Sequence, residues 1–487
     1  MLVSFLFPFL FLIGFHRLLE KMGNVESNGS YQQHLSRFPP NEQADIEVVF
    51  GSLSKMEVAA AAKGVTLETI KGHVKGALPE SMVVRLFDGM TSVQLSEKSP
   101  GSSGRVTKEQ FVVFMSAILK GNAEEKKGIV MRMICKAGGT VKGSQILEFA
   151  EDLVNSVIHL LIYRKELKGW NLKNMQNSTA GVKALASQLT SELKTADGRR
   201  LEGFAALDAC YDEGGLEDWL FRVPQVSSFL GVIVQQGLLP PDQGPSSPSS
   251  SHLLPACKGL RPGSSRFVSL LDVPSVAFLN SCLPSGLRRE WRLLFSSQLH
   301  GESFSQLCGH IVHKGPCLLV LRDAHGYVFG GFASCSWEVK PQFQGNNECF
   351  LFSVSPTLGV FTYTGYNDHY MYLNHGQQTM PNGLGMGGQH EYFGLWVDSN
   401  YGKGHSKAKP RCTTYNSPQL SAKENFTFNA MEVWAVGEPP GDPDGKDPKS
   451  ILDADPEAQA LLEMIGKSRQ SEGLRVPDED GDNNNSE

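Results

Sequence analysis

The apolar residues of this chain change their period once, across a Pro-, Ser- and Gly-rich stretch at 240–265 (PPDQGPSSPSSSHLLPACKGLRPGSS). That change constrains the fold to the α+β class, with the two element types segregated along the chain. Before it, over 41–239, Ile46, Val49, Phe50 and Leu53 follow the spacing i, i+3, i+4, i+7, and so do Phe111, Phe114, Met115 and Ile118. This predicts an all-α region. Pro39-Pro40-Asn41-Glu42 marks a stop and start before its first helix, and further helices are expected at 144–164, 179–194 and 217–237. After it, over 266–437, short runs rich in β-branched and aromatic residues alternate with turns. Cys317 to Leu321, Tyr327 to Phe329, Cys349 to Val354 and Tyr392 to Val397 read as strands. Asp323-Ala324-His325-Gly326 and Asn382-Gly383 read as turns, so a β-sandwich or barrel is expected. Two helices are predicted within it, at 303–312 and at 286–297, where Leu287, Trp291 and Leu294 share a face. The 240–265 stretch cannot bury enough apolar surface to offset chain entropy and is expected to be an exposed, flexible linker.

The flanks complete five zones: 1–40, 41–239, 240–265, 266–437 and 438–487. Residues 1–15 (MLVSFLFPFLFLIGF) are almost wholly apolar, yet short of the roughly 20 needed to cross a bilayer. Neither a basic leader nor a small-residue cleavage site accompanies them. Met22-Gly23-Asn24-Val25-Glu26-Ser27 matches the N-myristoylation pattern, which operates only if Gly23 becomes the N-terminus. Residues 1–21 are therefore expected to come from an upstream start, with Met22 beginning the common form. The alternative is a chance motif and a real apolar anchor. At the other end, Asp455 and Pro456 open a short helix, 455–469, on which Ala458, Leu461, Leu462 and Ile465 form an apolar stripe. This helix is the candidate partner contact, by the groove-binding mode of amphipathic helices. The alternative is that it docks back on its own chain. The acidic tail Asp478-Glu479-Asp480-Gly481-Asp482 reads as solvated.

The formal net charge of −6 argues against nucleic acid as a partner, since such binders carry a basic stripe. The nine cysteines, Cys135, Cys210, Cys257, Cys282, Cys308, Cys317, Cys335, Cys349 and Cys412, contain no C-x-x-C pair. Buried free thiols in a reducing compartment explain them best.

Taken motif by motif, the chain offers little chemistry. Gly383-x-Gly385-x-x-Gly388 is a literal dinucleotide fingerprint, but a strand, not a helix, is predicted after it, over 391–397. Cys308, His310, His313 and Cys317 lie close in sequence without matching zinc-site spacing. Phe87-Asp88-Gly89 and Gly104-Arg105-Val106-Thr107 hint at an EF-hand. Counted from Asp88, the third, sixth and twelfth loop positions are Met90, Val93 and Ser99, so an EF-hand-like pair without calcium is expected. No G-x-S-x-G elbow, H-E-x-x-H or P-loop occurs. Glu432 reads as a satisfied structural carboxylate rather than an acid catalyst. Tyr363, Tyr366, Tyr370 and Tyr372 belong either to a core or to a recognition face. Trp291, Phe295, Phe332, Phe350, Phe352, Trp396 and Trp434 are the candidate core aromatics. No residue is assigned to catalysis, to a cofactor or to a metal.

An ordered series of motifs carries a family resemblance. Leu283-Pro284-Ser285-Gly286-Leu287 is followed by Trp291 to Ser296, His300 to Phe304 and Phe329-Gly330-Gly331-Phe332. Then come Cys349 to Phe352, Gly383 to Gly388, Leu395 to Asp398 and Glu432-Val433-Trp434. This series resembles the TLDc domain, over about a third of the chain. The resemblance implies a two-sheet sandwich flanked by short helices, no established catalytic residues, a part in resistance to oxidative stress, and binding to the vacuolar-type proton ATPase. Met22-Gly23-Asn24, Leu86 to Met90 and Asp218-Trp219-Leu220-Phe221-Arg222 are similar to the mTOR-associated, lysosomal branch of that family, although residues 1–21 depart from it. The function so implied is a non-enzymatic adaptor, cytoplasmic and peripheral on the lysosomal membrane, held partly by a lipid on Gly23. The competing expectations are a hydrolase or redox enzyme using Cys or His residues of the β-rich half, and a calcium sensor built on the helical half.

Overall fold

The computed structural model describes residues 31–56, 64–94, 104–195, 197–239, 253–260 and 267–439. Gly23, the apolar leader and the 455–469 stripe lie outside the described residues.

The helical spacing of the first half is realised as α1 (Pro40–Met56), α2 (Leu67–Val74), α3 (Glu80–Thr91), α4 (Lys108–Lys120), α5 (Ala123–Ile134) and α6 (Gly143–Tyr163). These are followed by α7 (Ser178–Thr190), α8 (Gly203–Asp208), α9 (Glu213–Arg222) and α10 (Pro224–Leu238). Ile46, Val49, Phe50 and Leu53 are all buried, as are Phe111, Phe114, Met115 and Ile118. The single helix expected over 217–237 is two, because Pro224 has no N–H to continue α9 and instead opens α10. Capping boxes set the starts of α4 and α5: Thr107 and Gln110 bond reciprocally, as do Asn122 and Glu125. Short antiparallel bridges tie the loops in pairs, Val65 to Val106 and β1 (Val141–Lys142) to β2 (Cys210–Tyr211).

The second half contains β3 (Ala256–Lys258), β4 (Glu290–Ser296), β5 (Cys317–Asp323), β6 (Val328–Ala333), β7 (Lys340–Gln344) and β8 (Phe350–Ser355). It continues with β9 (Gly359–Thr362), β10 (Met371–Asn374), β11 (Gly383–Gln389), β12 (Tyr392–Asp398), β13 (Lys403–His405) and β14 (Asn425–Val436). Short helices α11 (Val273–Cys282), α12 (Ser297–His300) and α13 (Phe304–Ile311) flank them. The sheet runs β7-β10-β11-β12-β13-β14-β5-β6-β8-β9, and β4 and β3 branch from β14. The long β14 joins its two wings: its first residues pair with β13 and its remainder with β5 and β4. Leu319, Leu321, Phe329 and Leu351 of one wing share a core with Met371, Leu384, Met386 and Leu395 of the other. Two wings closed over one core form the sandwich.

Two further expectations are corrected. Residues 286–297 are not a helix: Glu290 to Ser296 is strand β4, paired with β14. The helical spacing of Leu287, Trp291 and Leu294 is a coincidence: Leu287 lies in a 3-10 turn before the strand, and Trp291 and Leu294 pack on different cores. Leu294 is the extra residue between Leu293, opposite Trp434, and Phe295, opposite Val433. The bulge turns Phe295 into the sandwich core while Trp291 and Leu293 face the other way. The linker is not exposed throughout either. Leu254 is buried, and Ala256 to Lys258 form β3, parallel to β4. Partners for this segment come from far along the chain: Cys257 N–H donates to Lys168 O and Trp170 Nε1 to Pro255 O.

The face of the β5 wing turned away from the sandwich core carries Leu318, Val320, Phe332, Phe350, Phe352 and Trp434. These belong to the same apolar cluster as the helical half. Trp170 sits at its centre, with ring centroids 5.1 Å from Trp434 and 5.9 Å from Trp291. All seven aromatics expected in the core are buried.

Candidate functional site

The most chemically unusual place in the structure is the seam where the helical half meets the sheet. Residues 267–272 cross it as a strap that is buried except at Val268. On the helical side, Ser269 N–H donates to Asn174 O at 2.9 Å and Gln176 Nε2 to Ser269 O at 3.0 Å. On the sheet side, Glu432 accepts from Ser269 Oγ at 2.9 Å and from Leu270 N–H at 3.1 Å. Gln298 brackets Val268, accepting from its N–H and donating to its carbonyl. Glu432 arrives there because alternate residues of β14 face the helices, placing it in line with Trp434 and Val436. Both carboxylate oxygens are thus engaged by the strap. Burial pushes the Glu432 carboxyl up to about 7; the Trp434 indole, Ser269 and the Leu270 N–H oppose that rise, as does the positive charge of Arg322. Asp272, at the end of the strap, caps α11 through Ser275 N–H at 2.9 Å, and burial raises its carboxyl too.

Sequence reasoning named Glu432 but missed Ser269, Gln176, Gln298 and Trp170. The one local signal was an acidic residue within the apolar run Ala430-Met431-Glu432-Val433-Trp434, which demands a buried partner. Nothing in the sequence said which.

The thiol and imidazole candidates do not converge. Cys308 lies on α13 and Cys317 on β5, where its sulfur accepts from Trp337 Nε1 at 3.2 Å. Burial raises Cys308 to about 11 and Cys317 to about 12, so both stay protonated and poorly nucleophilic near neutrality. His310 bonds Gln306 O through Nδ1 and packs 4.3 Å from the ring of His300, whereas His313 is exposed. Among the described residues, no group of three or more His, Cys, Asp or Glu is placed to hold a metal ion. A cleft of about 410 Å³ opens in the helical half instead, lined in part by His34, Glu125, Lys127, Arg132 and Glu213. Its charges are of mixed sign, and Glu125 is already paired with Arg37 at 2.6 Å.

The loop frame inferred from Asp88 is also corrected. Asp88 lies inside α3 and pairs with Lys136 at 3.1 Å. The left-handed glycines required at the sixth loop position are Gly104 (φ +66°) and Gly139 (φ +90°). Counting from them, the twelfth positions are Gln110 and Gln145, and no Asp or Glu occupies a ligand position of either loop. Each glutamine Oε1 accepts a helix N-terminal N–H, Gln110 from Thr107 and Gln145 from Lys142. The ligand positions of both loops therefore lack the carboxylates that calcium requires.

The glycine run Gly383 to Gly388 is explained by packing. It lies in β11, which turns directly into β12. A Cβ on Gly385 would come within 2.6 Å of the Phe393 ring, and one on Gly383 would meet Trp396. Glycine lets those rings, stacked with centroids 4.6 Å apart, lie flat on the outer face of the sheet. Of the four tyrosines, Tyr372 and Tyr370 are buried, Tyr363 is half-buried and Tyr366 is exposed. Among the described residues, no helix is long and apolar enough to cross a membrane.

Residues 265–437 match the TLDc domain family. Over nearly its full length the chain is similar to proteins named MTOR-associated protein MEAK7. The relative from Gallus gallus is 61% identical over 475 residues, spanning 95% of this chain and all of the relative. The Homo sapiens relative is 55% identical over 462 residues, spanning 94% of the chain and all of the relative. A partial match, 33% identical over 178 residues, joins 36% of this chain to 18% of the Homo sapiens nuclear receptor coactivator 7.

Proposed function

The chain belongs to the family of the MTOR-associated protein MEAK7, and on that premise we propose that it is a non-enzymatic adaptor in mTOR signalling. The observation that carries the reading is similarity along the whole length of relatives whose names record that association. It extends across the helical half as well as the TLDc domain, so the arrangement of both halves is shared and not the domain alone. The chemistry of the structure supports it: the buried carboxylate is fully engaged in holding the strap, and burial keeps the Cys308 and Cys317 thiols protonated.

The finer parts of the proposal rest on the family resemblance. The adaptor works at the cytoplasmic face of the lysosome, engages the vacuolar-type proton ATPase and contributes to the response to oxidative stress. A myristoyl chain on Gly23 gives marginal membrane affinity, so a protein contact must complete the anchoring. The 455–469 segment, through Ala458, Leu461, Leu462 and Ile465, supplies that contact.

Affinity capture of the tagged full chain from cells tests the central claim: mTOR should be enriched over a tag-only control, and equal recovery would refute the reading. Labelling with an alkynyl myristate analogue tests the anchor in a chain begun at Met22. Label should appear and be lost in Gly23→Ala. Binding to purified proton ATPase should weaken at least tenfold in Leu461→Asp/Leu462→Asp, and unchanged binding would remove that helix from the account.

A further inference from the structure

Among the described residues, the sheet of the β-rich half ends at β7, β3 and β9. Unpaired edges are templates for pairing with other chains, and proteins guard them with charge, proline or a covering segment. Two of these ends are guarded. β7 begins Lys340-Pro341, and β3 is covered by the Lys168 loop, whose carbonyl accepts from Cys257 N–H at 2.8 Å. Among the described residues β9 has no such guard. Its sequence is Gly359-Val360-Phe361-Thr362, and no Asp, Glu, Lys or Arg occurs anywhere from Cys349 to Asn367.

The inner side of β9 pairs with β8, Phe352 opposite Val360 and Leu351 opposite Phe361. On its outer side no strand pairs with it among the described residues. The nearest non-ladder backbone bond, Thr364 N–H to Thr414 O, lies beyond the strand. Gly359, Val360 and Phe361 are half-buried and Thr362 is exposed. Val360 packs on the core shared with the helices and Phe361 on the sandwich core. Both apolar layers thus reach this edge and stop there half-covered.

We infer that the outer edge of β9 is a docking site for an extended segment of a partner protein, uncharged and apolar on both faces, which joins the sheet as an added strand. Main-chain bonds to the amides and carbonyls that pair with no described residue hold such a segment, and its alternating side chains cover Val360 on one face and Phe361 on the other. A second copy of this chain fits less well. A four-residue edge supplies only a fraction of the roughly 1,200 Å² that a specific dimer buries. The inference is independent of the mTOR reading, because it concerns this edge alone.

The test uses the full chain and an end-capped, fluorescent hexapeptide of sequence Phe-Leu-Phe-Ser-Val-Ser on a hydrophilic tether. This is the sequence of β8, the strand that already pairs with β9. Fluorescence anisotropy should show saturable binding, and hydrogen exchange at 359–362 should slow in the complex. A copy N-methylated at alternate amides keeps the apolar surface but loses donors, and it should bind at least tenfold more weakly. Val360→Lys should weaken binding similarly. Equal binding of the two peptides, or no saturation by about 1 mM peptide, overturns the inference. So does a dimer in sedimentation that Val360→Lys dissolves, because the edge would then serve a second copy.

Discussion

Replacing the buried glutamate of the seam by its amide, Glu432→Gln, offers the sharpest test of that region. The carboxyl is completely buried and sits at about 7, against an ordinary value of 4.5. A raised acid value means that the folded chain binds the proton more tightly than the unfolded chain. The associated stability is therefore fully present below pH 4.5 and is lost as pH rises through about 7. At about 1.4 kcal/mol per pKa unit the total is on the order of 3 kcal/mol, most of which falls between roughly pH 5 and pH 8. The substituted side chain would be neutral throughout. Its amide oxygen can still accept from Leu270 N–H, and its amide nitrogen can donate to Ser269 Oγ, which has a lone pair to spare. The variant should thus be similar to or weaker than wild type at pH 5 and gain on it by about 2–3 kcal/mol by pH 8. Denaturant unfolding of both proteins at half-unit pH steps provides the measurement, with histidine contributions common to both curves and cancelling in the difference. Parallel stability curves from pH 5 to pH 8 would refute the reasoning.

Other outcomes follow from the packing. Trp170→Ala removes the ring shared by Trp291 and Trp434; calorimetry should show a loss of about 3–5 kcal/mol and partial separation of the melting of the helical and sheet halves. Gly385→Ala drives a methyl into the Phe393 ring, and should cost about 1–3 kcal/mol with a changed near-ultraviolet circular dichroism from the displaced Phe393–Trp396 stack. Calorimetric titration with calcium should give no saturable heat, since Gln110 and Gln145 replace the closing carboxylate of each loop; a saturable heat would return the sensor reading to contention.

Periodicity alone was enough to locate most helices and strands, because it records which side of an element is buried. Ile46, Val49, Phe50 and Leu53 announced α1, and the glycine and aromatic motifs announced the sandwich. It misread 286–297 because β4 buries apolar residues on both faces, Trp291 and Leu293 on one and Leu294 and Phe295 on the other across a bulge, so no clean alternation marks it as a strand. It missed β3 because a Pro- and Ser-rich context hides three residues that gain order only from Trp170, Lys168 and β4.

The sequence by itself settled class, order and family resemblance, since these depend on local propensity and on motifs read along the chain. Only the tertiary structure gave Glu432 its partner, 163 residues away in Ser269, and placed the loop frames on Gly104 and Gly139. Only there could it be seen that both halves pack on one apolar cluster around Trp170. The physical reason is that burial has a local signature, whereas the identity of the group met inside the core is fixed by contacts between distant parts of the chain.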